Sequence, residues 1–200
     1  MTSTYFYKYR GINDNDLSKD FSLDALLKSY AIFSSRKNFN DLFDSKIHLE
    51  LPTYEQLSNL MQNPRINIDK KKMMRNFLHN GKITSIGNAF LTKLETVLNE
   101  MIDAYPIYSV SRCNTSNLLW AHYSSSHKGF CIEFNFDETE QPENVTYQED
   151  IASVSLLDLL RYNVGIDTNT EFGIKIKNAL LVKLKEWNYE GGMIKSLHKQ

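Results

Sequence analysis

The segment GFCIEFNF, Gly129 to Phe136, places Phe130, Ile132, Phe134 and Phe136 on one side of an extended backbone and Cys131, Glu133 and Asn135 on the other. Four large apolar side chains in alternation describe a strand with one dry face. Such a face needs partner strands and a covering layer. A partner is available at the start of the chain, where Tyr5, Tyr7 and Tyr9 of YFYKYR alternate with Phe6, Lys8 and Arg10. PIYSVSR, Pro106 to Arg112, is a third candidate strand.

Between these segments the period changes. Thr53 with Gln56 three residues on is a capping box opening TYEQLSNLMQN, which Pro64 closes. IDKKKMMRNFLHNG reads as a second helix with Gly81 just past its end, and Phe90, Leu94, Val97, Leu98 and Met101 recur at helical spacing in a third. SNLLWAHY is a short helix capped by Ser116 or Asn117, ENVTYQ is a strand, and SLLDLLRY and IKIKNALLVKLKEW are helices. LDALLKS is expected as a helix capped by Ser22 and followed by a strand, YAIFSS; RKNFNDLFDSK is expected as a loop. YEGGMIKSL closes the series as a strand weakened by Gly191 and Gly192. This order predicts an α+β fold, a mixed or antiparallel sheet with a helical insertion in the middle of the chain, built as a single domain over residues 1–200.

A net charge of −1 leaves no overall field to draw the chain onto nucleic acid or an acidic membrane, so a polyanion would have to be met locally. The basic run Lys70 to Lys72 with Arg75 is such a local patch, and by itself it reads as a solvated helix face. Cys113 and Cys131 are too few for a secreted disulfide scaffold or a structural zinc site. Neither a signal peptide nor an apolar run long enough to span a bilayer is visible. The expected setting is therefore cytoplasmic, with no membrane partner and no metal.

The densest chemistry lies in LLWAHYSSSHKGFCIEF, Leu118 to Phe134. On a helix, Trp120 and Tyr123 lie three apart, with His122 in the adjoining turn. An imidazole that exchanges protons near neutrality and a phenol that stacks or hydrogen-bonds suit a pocket, and they equally suit a wet helix end. Glu133 is either a carboxylate held rigidly over a cleft or the polar half of a strand's alternation. Arg10 can fork onto phosphate or simply end a strand in water. Asn40, Asp41 and Asp44 read as turn formers rather than cation ligands. Glu190, beside Trp187 and Tyr189, is a pocket carboxylate or a surface acid before a glycine turn. Cys131 shares its strand face with Glu133, a neighbour that raises a thiol pKa and argues against a nucleophile.

Five pieces in order, YFYKYR, SYAIFSSRKNFNDLFD, YSVSRCNTSNLLWAHYSSSHKGFCIEF, VTYQ and KLKEWNYE, resemble the bacterial domain-of-unknown-function 2971 family. The resemblance implies a site built from the polar residues of these boxes. It departs at Leu42, where the family has Pro, and at Gly192 and Ile194, where the family's Trp-x-Tyr-Glu box continues with Glu and Arg; the chain also stops earlier than such proteins often do. The arrangement of an early Arg, a central aromatic box and a late Glu looks like that of ADP-ribosyltransferases, which implies NAD as substrate in toxin or phage-defence biology. On that reading Arg10, Tyr7, Asn40 and Trp120 hold the cofactor, while Glu190, His122, Tyr123 and Glu133 are catalytic, Glu190 stabilising the developing oxocarbenium charge. The alternative is a non-catalytic module that binds a nucleotide, a dinucleotide or a protein partner. The altered positions after Glu190 motivate it.

Overall fold

The computed structural model describes residues 4–13, 15–39 and 46–196. In chain order its strands are β1 (Tyr5–Arg10), β2 (Ile47–Glu50), β3 (Leu78–His79), β4 (Lys82–Ile83), β5 (Ile107–Ser111), β6 (Phe130–Asn135), β7 (Glu143–Asn144), β8 (Thr146–Gln148), β9 (Ala152–Ser155), β10 (Val182–Leu184) and β11 (Gly192–Ser196). The helices are α1 (Phe21–Leu27), α2 (Tyr54–Gln62), α3 (Ile68–Met74), α4 (Ser85–Asp103), α5 (Asn117–Tyr123), α6 (Leu156–Asn163) and α7 (Asn169–Leu180). The class is α+β. The chain gathers into two compact units, one from residues 1–44, 105–150 and 181–200, the other from 45–104 and 151–180.

The first unit is organised by a five-stranded sheet in the order β6-β1-β5-β11-β7, with every neighbouring pair antiparallel. β1 takes its place between β6 and β5 through the alternation seen in the sequence. Phe6 pairs with Phe134 of β6 and is buried with Tyr108, Val110 and Met193, while Phe33, Phe134 and Phe136 pack against the cluster. The rings meet edge to face, Phe6 on Phe136 at 5.6 Å and Tyr108 on Phe134 at 5.6 Å. β8 and β10 form a separate parallel pair. The expected YAIFSS strand is reduced to one bridge between Ser34 and Ile107, because α1 and the turn after it use Tyr30 to bond Asp24 and Ala25 instead of a ladder. The helix itself starts from Asp20, whose carboxylate caps the Leu23 N–H, and not from Ser22.

The second unit is mainly helical around the parallel pair β2 and β9. The Thr53 and Gln56 capping box forms as expected at α2. Its core joins Leu57, Leu60, Met74, Phe77, Leu91 and Leu160. On α4 the buried stripe is Gly87, Leu91, Leu98 and Ile102, whereas Val97 and Met101 are exposed, so the apolar face is rotated from the expected one. The helix predicted to Gly81 ends at Met74. Asn80 and Gly81 adopt φ of +48° and +73° and join β3 to β4 in a hairpin, the conformation that an Asn-Gly pair favours. Likewise α7 stops at Leu180, and the residues expected to extend it to Trp187 form β10 and a 3-10 turn. β9, absent from the sequence reading, pairs in parallel with β2 from Ala152 to Ser155.

In this unit Arg161 forks onto Asp167, Nε to Oδ2 at 2.9 Å and Nη2 to Oδ1 at 2.8 Å. The hydrogen-bonded guanidinium holds the Asp167 carboxyl below its ordinary value. A carboxylate with a depressed folded pKa stabilises the fold above its unfolded value of about 3.9 and loses that contribution as pH falls through the lower folded value. Arg161→Met is therefore expected to lower the urea midpoint at neutral pH, and the difference from the parent should close in strong acid.

Candidate functional site

α5 is the short helix predicted from SNLLWAHY. Ser116 accepts the Leu119 N–H, Leu119 is buried, and the helix runs from the end of β5 towards β6. Its exit is unusual. Ser125, Ser126 and His127 all have positive φ, +50°, +56° and +67°, and the amides of residues 126–129 are bonded back: Ser126 to the Ala121 carbonyl, His127 to that of Trp120, and Lys128 and Gly129 to that of Ser124, the cap of the helix. Three consecutive non-glycine residues in the left-handed region store roughly 1–2 kcal/mol each. Gly11 and Gly129 permit this, since a Cβ on Gly11 would lie 2.2 Å from Ser125 Oγ and one on Gly129 would lie 1.9 Å from the Arg10 carbonyl oxygen. Ser126 is exposed, so Ser126→Gly should keep the turn and raise stability by about 1 kcal/mol, read as a higher denaturation midpoint.

This turn borders a cavity of about 470 Å³ in the first unit. Arg10, Tyr7, His122, Tyr123 and Glu190, drawn from residues 7 to 190, all line it. Glu190 is 5% exposed and held on every side. Its Oε1 accepts the Tyr123 hydroxyl at 2.5 Å, its Oε2 lies 2.9 Å from the Lys183 ammonium, and its backbone carbonyl accepts the buried Ser111 hydroxyl at 2.6 Å. Gly191 follows at φ +53°, and the Gly192 N–H donates to the Tyr147 hydroxyl at 2.8 Å. A Cβ on Gly192 would itself stand 2.8 Å from that oxygen, so glycine here lets the backbone come close to Tyr147.

Lys183, also 5% exposed, is the residue that the sequence reading missed. Reading helix through to Trp187 hid it. A lone lysine inside ALLVKL was the available signal, because a buried ammonium requires a carboxylate. The other cations of the cavity belong to β1. Lys8 Nζ donates to the Ser109 carbonyl at 2.6 Å and lies 5.0 Å from the centre of the Tyr108 ring. Arg10 hydrogen-bonds the Tyr108 phenol, which burial pushes above its ordinary value against the pull of that guanidinium. No carboxylate among the described residues pairs with Arg10.

His122 adds an aromatic edge. Its ring stands 6.3 Å from Trp187, 6.3 Å from Tyr189 and 6.5 Å from Tyr123, and Trp187 and Tyr189 stand 5.9 Å apart. Two of the expected site residues lie elsewhere. Trp120 packs edge-on against Tyr9 at 5.2 Å and donates Nε1 to the Asn114 carbonyl. Glu133 is exposed on β6 directly opposite Tyr7; burial and then the hydrogen bond to this carboxylate raise the Tyr7 phenol. Neither lines the cavity. The Cys131 thiol is pushed up by burial, then by Cys113 and Glu133. Asn40, Asp41 and Asp44 fall outside the described residues, among which no cluster of potential metal ligands is found. No described helix is long and apolar enough to cross a membrane.

Residues 119–191 match the model of a family described as a protein of unknown function, DUF2971. The matched stretch holds His122, Tyr123, Lys183 and Glu190 and leaves Arg10 outside. No curated protein and no solved structure matches the chain.

Proposed function

We propose that the chain, which carries a DUF2971-like domain over residues 119–191, uses the cavity of its first unit to bind an anionic small molecule of the nucleotide or dinucleotide class. One observation carries this reading: Arg10 lines the cavity half-buried and without a carboxylate partner among the described residues. A guanidinium removed from water in this way favours a phosphate or carboxylate, which its planar fork can grip with two hydrogen bonds. Lys183 does not compete, because Glu190 neutralises it. Among the described residues that line the cavity, Lys8, Arg10 and Lys183 are cations and Glu190 is a carboxylate. The volume lies within the roughly 300–1,000 Å³ typical of small-molecule sites.

NAD cleavage is the second reading, because Glu190 is the only carboxylate among the described residues that line the cavity. Hydrolysis of the glycosidic bond would transfer a water oxygen to the ribose carbon and release nicotinamide and a proton, and a fixed carboxylate would stabilise the positive charge that develops on the sugar. Both oxygens of Glu190 are already engaged, which favours binding over turnover. A toxin or phage-defence role belongs to this second reading. Calorimetry with a nucleotide panel and prolonged incubation with labelled NAD separate the two. Saturable binding with intact NAD supports the binding module, nicotinamide release or labelled protein supports the enzyme, and neither binding nor release rejects both.

A further inference from the structure

The basic run Lys70 to Lys72 does not stand alone in the second unit. Between Asn63 and Ile83 the chain carries six cations and one acid, Asp69, although the whole chain has a net charge of −1. Met74 and Phe77 turn into the core, while Arg65, Lys72, Arg75 and Lys82 are exposed and Lys71 is half-buried. Lys71 and Lys72 precede Arg75 by four and three residues and therefore adjoin it on the helix surface. A second basic element is tied to the same end of α3. Thr84 donates its N–H to the Phe77 carbonyl at 2.9 Å and its hydroxyl to the Asn76 carbonyl at 2.6 Å, which holds the β3–β4 hairpin, with Lys82, against the turn that carries Arg75. Lys70 anchors the helix instead, donating to the Asn163 carbonyl at 2.7 Å.

Little acid answers this charge. Asp69 lies 3.9 Å from Lys72 with the two side chains 86% and 71% exposed, a pair that water screens. On α6, which receives Lys70, Asp158 bonds Lys175, and Asp167 beyond it is held by Arg161. Among the described residues no carboxylate pairs with Arg65, Lys71, Arg75 or Lys82. Such a surface suits a polyanion, either an anionic membrane or a nucleic acid. Ile68 and Met73 are 69% and 56% exposed, but five residues apart they stand about 140° from each other around the helix, so α3 has no apolar stripe to enter a bilayer. An α-helix about 10–12 Å across fits the major groove of B-DNA, about 12 Å wide, whereas that of duplex RNA is too narrow.

We propose that α3 and the β3–β4 hairpin dock on double-stranded DNA, with the helix in the major groove and Arg65, Lys71, Lys72, Arg75 and Lys82 meeting phosphates irrespective of sequence. This surface shares no residue with the cavity of the first unit.

The test is fluorescence anisotropy of the full chain with a labelled DNA duplex of about 20 base pairs, of the length such footprints need, over a range of salt. Five phosphate contacts predict a log–log salt slope of about −4.5, a loss of roughly 500-fold in affinity between 50 and 200 mM salt. Lys71→Gln with Lys82→Gln should make the slope shallower by about 2 and weaken binding at 50 mM salt at least about 10-fold. Lys19→Gln with Lys28→Gln removes the same charge from exposed lysines of the first unit and should change neither. Equal loss in the two double variants overturns the proposal, because net charge and not this surface would then attract the duplex. Duplex RNA bound as tightly as DNA overturns it, as does binding to phosphatidylserine vesicles without binding to DNA. Failure of the unaltered protein to bind the duplex at 50 mM salt overturns it with no variant required.

Discussion

Lys183→Met is expected to cost about 3–5 kcal/mol of folding stability, because it strands a carboxylate that almost no solvent reaches. Glu190 would keep the Tyr123 hydroxyl and lose the ammonium that neutralises it. The attraction within a buried pair roughly offsets the cost of dehydrating both ions, so deleting one partner exposes the other's full penalty, whereas deleting both does not. Lys183→Met with Glu190→Met should therefore recover most of the loss, and the two substitutions should be strongly non-additive in a double-mutant cycle. Urea unfolding measures all three. A single substitution costing under about 1 kcal/mol, within the range of an exposed pair, would contradict the buried network.

Gly129→Ala should be comparably damaging for a different reason. The new Cβ would stand 1.9 Å from the Arg10 carbonyl oxygen and 2.9 Å from both the Arg10 carbonyl carbon and Ser124 Cβ. The obstructing atoms are mostly backbone. Arg10 is paired with Phe130 in the β1 and β6 ladder, so the oxygen cannot retreat without opening that pair, and the left-handed turn before Gly129 has no slack. Overpacking of this kind costs about 3 kcal/mol, and the denaturation midpoint should fall accordingly. Because Arg10 would move with its carbonyl, phosphate affinity should fall in the same variant. Gly165→Ala makes a useful contrast, since its penalty comes from φ of +82° alone, with no atom within 4 Å of the added carbon.

Much of the fold was legible where one periodicity ran unbroken. β1, β5, β6 and α5 stand close to the expected positions, because alternation in YFYKYR and GFCIEFNF and the Ser116 cap are local signals that neighbouring residues enforce. The errors fall where a local pattern had two solutions. LVKL after α7 suited a helix on propensity, yet pairing of Val182 to Leu184 with β8 made it a strand. At Asn80 and Gly81 the helix-terminus reading overlooked a hairpin signal that was equally present. For the site, the list drawn from the family resemblance contained Arg10, Tyr7, His122, Tyr123 and Glu190, which do share a cavity, and Trp120 and Glu133, which do not. Their alternation and spacing alone could not separate the two groups.

The sequence by itself determined which faces of the strands are apolar, where several helices begin, and which polar side chains were unusual enough to consider. Tertiary structure decided that Glu190 is a buried acceptor held by Tyr123, Lys183 and Ser111, and that Arg10 stands over the same cavity without an acid of its own among the described residues. The reason is range. Alternation and capping are enforced by atoms within a few residues, whereas the bonds of Tyr123 and Ser111 to Glu190 span 67 and 79 positions, and β1, which carries Arg10, meets β5 and Gly129 across more than a hundred.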